Sequence, residues 1–295
     1  MLRLVLPKGS LEEATLRLFA DADLRVFRSS EVDYRATIHD HRIAEVRVLR
    51  PQEIPVYVAQ GLFDVGITGR DWVEERGAEV VSLGELPYSK VASGYAIRIV
   101  LAVEDESPAK SLEDLRGRER PLRVATEYPE LARRAMEEAG VEAEVLMSYG
   151  ATEAKVPDIA DCVVELTETG RALRAAGLRI IHTLLVSYTE LIANPAAAAD
   201  PEKRRAMEQI YTLLMGTLEA REKVLVKLNV SAERQAAVLK RLPSLRAPTV
   251  SELAGDGGYA IETVVMKDEI NTLIPELKEL GATDILELAL AKIVH

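Results

Sequence analysis

Apolar and polar positions alternate along the chain in two rhythms, one near two residues and one near 3.6, and they change over at short polar breaks. Residues 2–6 form an apolar run that ends at Pro7-Lys8-Gly9. Ser10-Leu11-Glu12-Glu13 then has the S-x-x-E form of a capping box and predicts a helix with Leu11, Ala14, Leu18 and Phe19 on its apolar face. Residues 34–38 and 43–49 read as strands around a hairpin tip at His39-Asp40-His41-Arg42. Residues 54–61 have helical spacing, and 65–69 read as a buried strand ending in a glycine turn. This alternation predicts an α/β domain with a largely parallel sheet.

A second block of the same kind follows. It has a strand at 95–103, a helix start at 111–114, a strand at 122–125, a helix at 130–139 and a strand at 144–147. A loop and helix at 150–161 precede Val163-Val164 and the turn Thr167-Glu168-Thr169-Gly170. Strand-like runs at 180–181 and 188–193 end at Asn194-Pro195, and 196–199 lead towards a long amphipathic helix at 202–221. The remainder reads as strand 223–230, helix 231–242, strand 248–253, a turn at Asp256-Gly257-Gly258, strand 259–266, helix 268–280 and strand 284–294. That order, βαββαβ, is the ferredoxin-like arrangement, which by itself fixes no function.

Composition narrows the function classes. A chain of 295 residues suggests about two domains. Its 37 Lys and Arg against 48 Asp and Glu give a net charge of −11, which excludes broad, sequence-independent nucleic-acid binding. Small anionic ligands stay possible, because a few cations and backbone N–H groups suffice for them. With 48% apolar and 29% charged residues the chain is globular rather than disordered. Only 3 Phe, 1 Trp and 9 Tyr are present, so the core must come from Leu, Val, Ile and Ala. The single cysteine, Cys162, excludes an internal disulfide and a multi-cysteine metal site. No apolar stretch is long enough to span a membrane and the opening run is too short for a signal peptide, so a soluble, cytoplasmic protein is expected.

Two segments carry candidate chemistry. At Lys8-Gly9-Ser10 a glycine turn between strand and helix leaves free N–H groups at the positive end of the helix, with a full charge beside them. An ordinary strand–helix junction offers part of the same signal. At Thr167–Gly170 two hydroxyls and a glycine can cradle a phosphate, and Glu165 just before can accept hydrogen bonds from ribose hydroxyls. A plain N-capped helix is the bland alternative. His39 and His41 lack a third ligand and read as solvated. Cys162 reads as a buried small side chain, and the Arg221-Glu222-Lys223 cluster as a solvated face.

In their order the motifs resemble the ATP phosphoribosyltransferase family. They are Leu6-Pro7-Lys8-Gly9-Ser10-Leu11, Arg50-Pro51-Gln52-Glu53-Ile54-Pro55 and Gly61-Leu62-Phe63-Asp64-Val65-Gly66-Ile67-Thr68-Gly69-Arg70-Asp71. Ala125-Thr126-Glu127-Tyr128-Pro129, Gly150-Ala151-Thr152-Glu153 and Glu165-Leu166-Thr167-Glu168-Thr169-Gly170-Arg171-Ala172-Leu173 complete the set. The resemblance implies a two-lobed catalytic core like type II periplasmic binding proteins, with a C-terminal ferredoxin-like regulatory domain. It assigns 1–90 and 185–211 to the first lobe, 91–184 to the second and 212–295 to the tail.

The implied reaction joins N1 of ATP to C1 of phosphoribosyl pyrophosphate with Mg²⁺, under inhibition by histidine, in a homo-oligomer (dimer or hexamer). Lys8 and Arg50 are the expected catalytic cations. Gly9, Ser10, Thr68, Gly69, Asp71 and Glu153, with Glu165, Thr167, Glu168, Thr169, Gly170 and Arg171, are the expected substrate contacts. Thr249 and Ser251 are the candidates for holding histidine. Three positions depart from the family pattern: Glu165 is often Asp, Glu127 is usually Lys, and Ala172 is often Thr. Two other functions remain open to the sequence, a two-lobed ligand-binding or sensor protein without catalysis and a phosphoribosyltransferase acting on another base.

Overall fold

The computed structural model describes residues 1–30, 33–88, 97–243, 245, 247–255 and 257–295. Contacts divide the chain into two compact units, Met1–Arg17 with Val26–Glu208, and Leu18–Arg25 with Gln209–His295.

The first unit opens with β1 (Leu2–Pro7), α1 (Glu12–Asp21, whose last residues belong to the second unit), β2 (Val26–Phe27), β3 (Arg35–Ile38) and β4 (Ile43–Leu49). Next come α2 (Ile54–Ala59), β5 (Val65–Gly69), α3 (Arg70–Arg76) and β6 (Val81–Glu85). A second group contains β7 (Ile97–Glu104), β8 (Leu122–Thr126), α4 (Pro129–Ala139), β9 (Ala143–Met147), β10 (Cys162–Thr167), α5 (Arg171–Ala175) and β11 (Leu178–Ser187). β12 (Thr189–Ala193) returns to the first sheet, and α6 (Pro195–Ala199) and α7 (Pro201–Arg221) follow it.

The first sheet runs β2-β3-β4-β1-β5-β12-β6 and the second β11-β7-β10-β8-β9. β1 lies between two neighbours with Leu2, Leu4, Val5 and Leu6 all fully buried, as a continuous apolar run in a doubly covered strand requires. The sheets are mixed rather than largely parallel. In the first, β4, β1 and β5 are parallel, while β3 pairs antiparallel through its hairpin and β12 antiparallel as the returning strand. In the second, β10, β8 and β9 are parallel and β7 and β11 antiparallel.

Several elements differ from expectation for local reasons. The helix expected at 111–114 is a single 3-10 turn, Glu113–Leu115, because the Asp114 carboxylate takes the N–H groups of Lys110 and Ser111 at 2.8 and 2.9 Å. The helix expected within 150–161 is also one 3-10 turn, Thr152–Lys155. β2 and β6 carry no clear period in sequence. Tyr95 and Ala96, expected to start a strand, lie outside the described residues.

The second unit contains β13 (Lys223–Ser231), α8 (Gln235–Arg241), β14 (Thr249–Glu252), β15 (Gly258–Met266), α9 (Ile270–Glu279) and β16 (Thr283–Ala289). Its sheet order β14-β15-β13-β16 is wholly antiparallel, the ferredoxin-like βαββαβ fold that was expected. Val224, Val226, Leu228 and Val230 turn one face into a core with Val238, Leu273 and Leu277. The closing strand stops at Ala289 instead of 294; beyond it the Ile293 N–H donates to the Gly216 carbonyl at 2.9 Å.

Candidate active site

The sequence motifs converge on one kind of place, the carboxyl ends of parallel strands. Lys8 follows β1, Arg50 follows β4, and Thr68-Gly69 closes β5. These three strands are neighbours, with Pro7 opposite Leu49 and Val5 opposite Gly66, so their ends line one edge of the first sheet. In the second sheet Glu127 follows β8, the Gly150–Glu153 segment follows β9, and the Thr167–Gly170 loop closes and follows β10. Open α/β sheets bind ligands at such edges, where loops leave the strands and helix N-termini point outward.

The Lys8 turn is built differently from its sequence signature. α1 starts at Glu12, and the Gly9 N–H donates to Glu12 Oε2 at 3.1 Å, so Glu12 rather than Glu13 closes the turn. Glu12 Oε1 also pairs with Arg28 at 2.8 Å. The Lys8 ammonium sits 4.1 Å from the centre of the Tyr34 ring, a cation–π contact. Ser10 and Arg50 are exposed. Thr68 is buried and donates its hydroxyl proton to the Pro51 carbonyl at 2.9 Å.

Around β10 the backbone follows the phosphate-cradle pattern. The Gly170 N–H donates to Thr167 Oγ1 at 2.9 Å, while Thr169 and Arg171 remain exposed. Gly170 has φ +71°, a left-handed conformation that favours glycine before any ligand is considered. Glu165 is half-buried, and its Oε2 is buried without a hydrogen-bond partner among the described residues. Burial raises its pKa, the Thr152 hydroxyl opposes that, and the charges of Glu127 and Glu153 add to the rise.

Asp71, expected at the substrate, faces the contact between the two sheets. Its Oδ1 accepts from the Ser187 hydroxyl at 2.6 Å and its Oδ2 from the Tyr128 hydroxyl at 2.9 Å. The carboxylate leaves no room for a side chain at residue 69, since a Cβ on Gly69 would lie 2.1 Å from Asp71 Oδ1. Trp72 stacks on Tyr128 at 4.6 Å, and the buried Glu75 carboxylate accepts the N–H groups of Glu130 and Leu131 at 3.1 and 2.9 Å. α3 thus caps the start of α4 across the lobes. Sequence alone did not single out Tyr128, Ser187 or Glu75: Tyr128 lies within Ala125-Thr126-Glu127-Tyr128-Pro129, and the other two give no local signal.

A family model described as "HisG: ATP phosphoribosyltransferase" matches residues 50–216, and one described as "HisG, C-terminal domain" matches residues 220–292. The ATP phosphoribosyltransferase of Nitratidesulfovibrio vulgaris (strain Miyazaki F) is 47% identical over 295 residues, covering 100% of this chain and 98% of the relative. That of Chlorobium phaeovibrioides is 44% identical over 294 residues, with the same coverage. The chain belongs to the ATP phosphoribosyltransferase family.

A solved ATP phosphoribosyl transferase (HisG:HisZ) complex from Thermotoga maritima aligns with a TM-score of 0.62 and 26% identity, covering 74% of this chain and 99% of that one. The chain is therefore a pentosyltransferase that joins N1 of ATP to C1 of phosphoribosyl pyrophosphate, the first step of histidine biosynthesis. Of the readings the sequence left open, the transferase stands, and the non-catalytic sensor and the transferase for another base fall away. No described helix of this ATP phosphoribosyltransferase is long and apolar enough to cross a membrane.

Proposed function

We propose that the two strand-end edges divide the substrates' phosphates between them. The Thr167–Gly170 loop, with Glu168 and Arg171, holds the 5′-phosphate of phosphoribosyl pyrophosphate, and Glu165 accepts from its ribose hydroxyls. Lys8 and Arg50, with Gly9, Ser10, Thr68, Gly69 and Asp71, form the opposing wall, in which Asp71 fixes the lobes. Glu153 completes the second wall. The lobes comprise 1–90 with 185–211, and 91–184; residues 212–295 form the regulatory domain. The observation that carries this reading is the gathering of all six motifs at the carboxyl ends of parallel strands.

The chemistry follows from the charges. Loss of pyrophosphate builds positive charge on the ribose and negative charge on the leaving group. Fixed cations at Lys8 and Arg50 stabilise the latter, and holding both substrates removes most of the entropy barrier. The adenine N1 brings its own lone pair, so the step needs no strong general base.

Among the described residues no group of three or more His, Cys, Asp or Glu could cage a metal. The donors beside Glu165 are carboxylate oxygens, which suit a hard cation carried mainly by substrate oxygens and water. Mg²⁺ carried in on the substrates would supply neutralisation of the leaving group's charge. The enzyme works in the cytoplasm as a homo-oligomer, a dimer or hexamer, and histidine inhibits it through the C-terminal domain.

The deciding experiment replaces Lys8 by Met in the full-length enzyme. Turnover should fall at least about tenfold, roughly 1.4 kcal/mol of transition-state stabilisation, with the melting temperature unchanged. Full activity, or a collapse of stability with normal turnover in the folded fraction, removes Lys8 from the chemistry.

A further inference from the structure

Lys8 and Tyr34 reach each other across the end of β4, which lies between β3 and β1 in the first sheet. On one side the Lys8 N–H donates to the Leu49 carbonyl at 2.7 Å, and on the other the Val48 N–H donates to the Tyr34 carbonyl at 2.9 Å. Both backbones are therefore tied to the last two residues of β4, just before Arg50. Asp33 Oδ1 fixes the turn into β3 by accepting the Arg35 N–H at 2.8 Å. Over that frame the Lys8 ammonium lies 4.1 Å from the centre of the Tyr34 ring, although Tyr34 is 53% exposed.

The kind of partner decides what the cation can still do. A carboxylate would hold the ammonium and cancel much of its field toward a second anion, whereas a ring holds it through its quadrupole and leaves the net charge in place. The neighbouring cations take the first course: Arg28 pairs with Glu12 at 2.8 Å and Arg47 with Glu45 at 2.6 Å. No carboxylate among the described residues pairs with Lys8, in a chain with 48 Asp and Glu. A lysine stem is flexible, so without the ring its ammonium would sample many positions. Fixing it beforehand removes that freedom from the cost of the reacting step.

We infer that Tyr34 is a positioning residue for the transfer: its ring holds the Lys8 ammonium at the end of β4, charge uncancelled, for the phosphate oxygens that gain negative charge as pyrophosphate leaves. This rests on the reading of Lys8 as a catalytic cation. Tyr34 acts through Lys8 alone.

The test measures kcat and both Michaelis constants with the full-length enzyme. Tyr34→Leu should lower kcat about threefold, the scale of a partly exposed cation–π contact, with both Michaelis constants within about twofold and the melting temperature unchanged. Tyr34→Phe, which keeps the ring, should hold kcat near that of the unaltered enzyme. In a Lys8→Met background Tyr34→Leu should cost nothing further, because no ammonium is left to hold. The inference is overturned if Tyr34→Leu leaves kcat unchanged or raises it, since the ring would then be idle or would draw Lys8 away from the reacting atoms. It is overturned equally if Tyr34→Phe loses as much as Tyr34→Leu, if the Tyr34→Leu loss is undiminished in the Lys8→Met background, or if kcat falls only together with the melting temperature. Lys8→Met without effect would instead remove the cation on which the inference rests, an outcome separate from a costly Lys8→Met beside a silent Tyr34→Leu.

Discussion

Two single residues carry opposite expectations at the proposed phosphate seats. Gly170 has φ +71°, and a Cβ there would meet Arg174 Nη1 at 2.9 Å and Ile180 Cδ1 at 3.3 Å. Gly170→Val should therefore strain the loop and raise the Michaelis constant for phosphoribosyl pyrophosphate at least about tenfold. An unchanged constant in folded protein would take the loop out of the site. Glu12, by contrast, puts its own carboxylate on the Gly9 N–H that a phosphate would use. Glu12→Gln should lower the Michaelis constant of the substrate whose phosphate reaches this turn about two- to threefold, the scale of one charge at a helix start. A rise would mean that Glu12 shapes the turn more than it competes for it. Sequence alone pointed to the Gly9 and Gly170 turns, because each signal is confined to a few adjacent residues. It missed which glutamate closes the first turn, because Glu12 and Glu13 differ only in the direction the helix gives them.

At the scale of elements, the least legible feature is the capping of α4 by Glu75, whose partners lie 55 and 56 residues away. Glu75→Ala would leave the buried Leu131 N–H without an acceptor and should cost about 2–3 kcal/mol, measured as a lower denaturant midpoint at unchanged slope. A loss under about 0.5 kcal/mol would show that solvent replaces the cap. Legibility falls along the same line elsewhere. β1 and β5 announced themselves through mainly apolar runs, whereas β2 and β6 are edge elements whose pairing is settled by neighbours distant in sequence. The 3-10 turn at Thr152–Lys155 replaced an expected helix. A further expectation concerns acid. Burial would raise the Asp161 pKa, but the guanidinium groups of Arg120 and Arg123 and the Arg123 N–H outweigh it and hold the carboxyl well below the usual range. A depressed folded value gives stability that is complete above the unfolded aspartate pKa of about 3.9 and lost as pH falls below it. Asp161→Asn should hence flatten the decline in melting temperature between about pH 5 and pH 3; an identical decline would assign acid sensitivity to other carboxylates.

For the whole molecule, the proposed regulation by histidine concerns the second unit. Thr249 and Ser251 lie exposed on edge strand β14, opposite Glu262 and Ala260 of β15, and Glu262 pairs with Lys227 at 2.6 Å on the same sheet face. A free amino acid needs both donors and acceptors, and this face offers hydroxyls beside a charge pair. Calorimetry on the intact protein should detect histidine binding, weakened in Thr249→Val and Ser251→Ala, with inhibition tracking a coupling of about 1–3 kcal/mol. Inhibition without binding to the intact chain, or unaffected by either change, would move the sensor elsewhere. Truncation is a poor probe of the same question, because Leu18, Phe19 and Leu24 are buried and group with Gln209–His295, so removing the tail bares part of α1. Cys162 offers a better handle. Its side chain is fully buried and desolvation pushes its pKa up to about 12, leaving almost no thiolate at neutral pH. A cysteine introduced at exposed Leu62, just before β5, and another at exposed Ile159, just before β10, will thus take up fluorescent dyes selectively with the native thiol left in place, and a distance between the dyes can follow the lobes through a catalytic cycle.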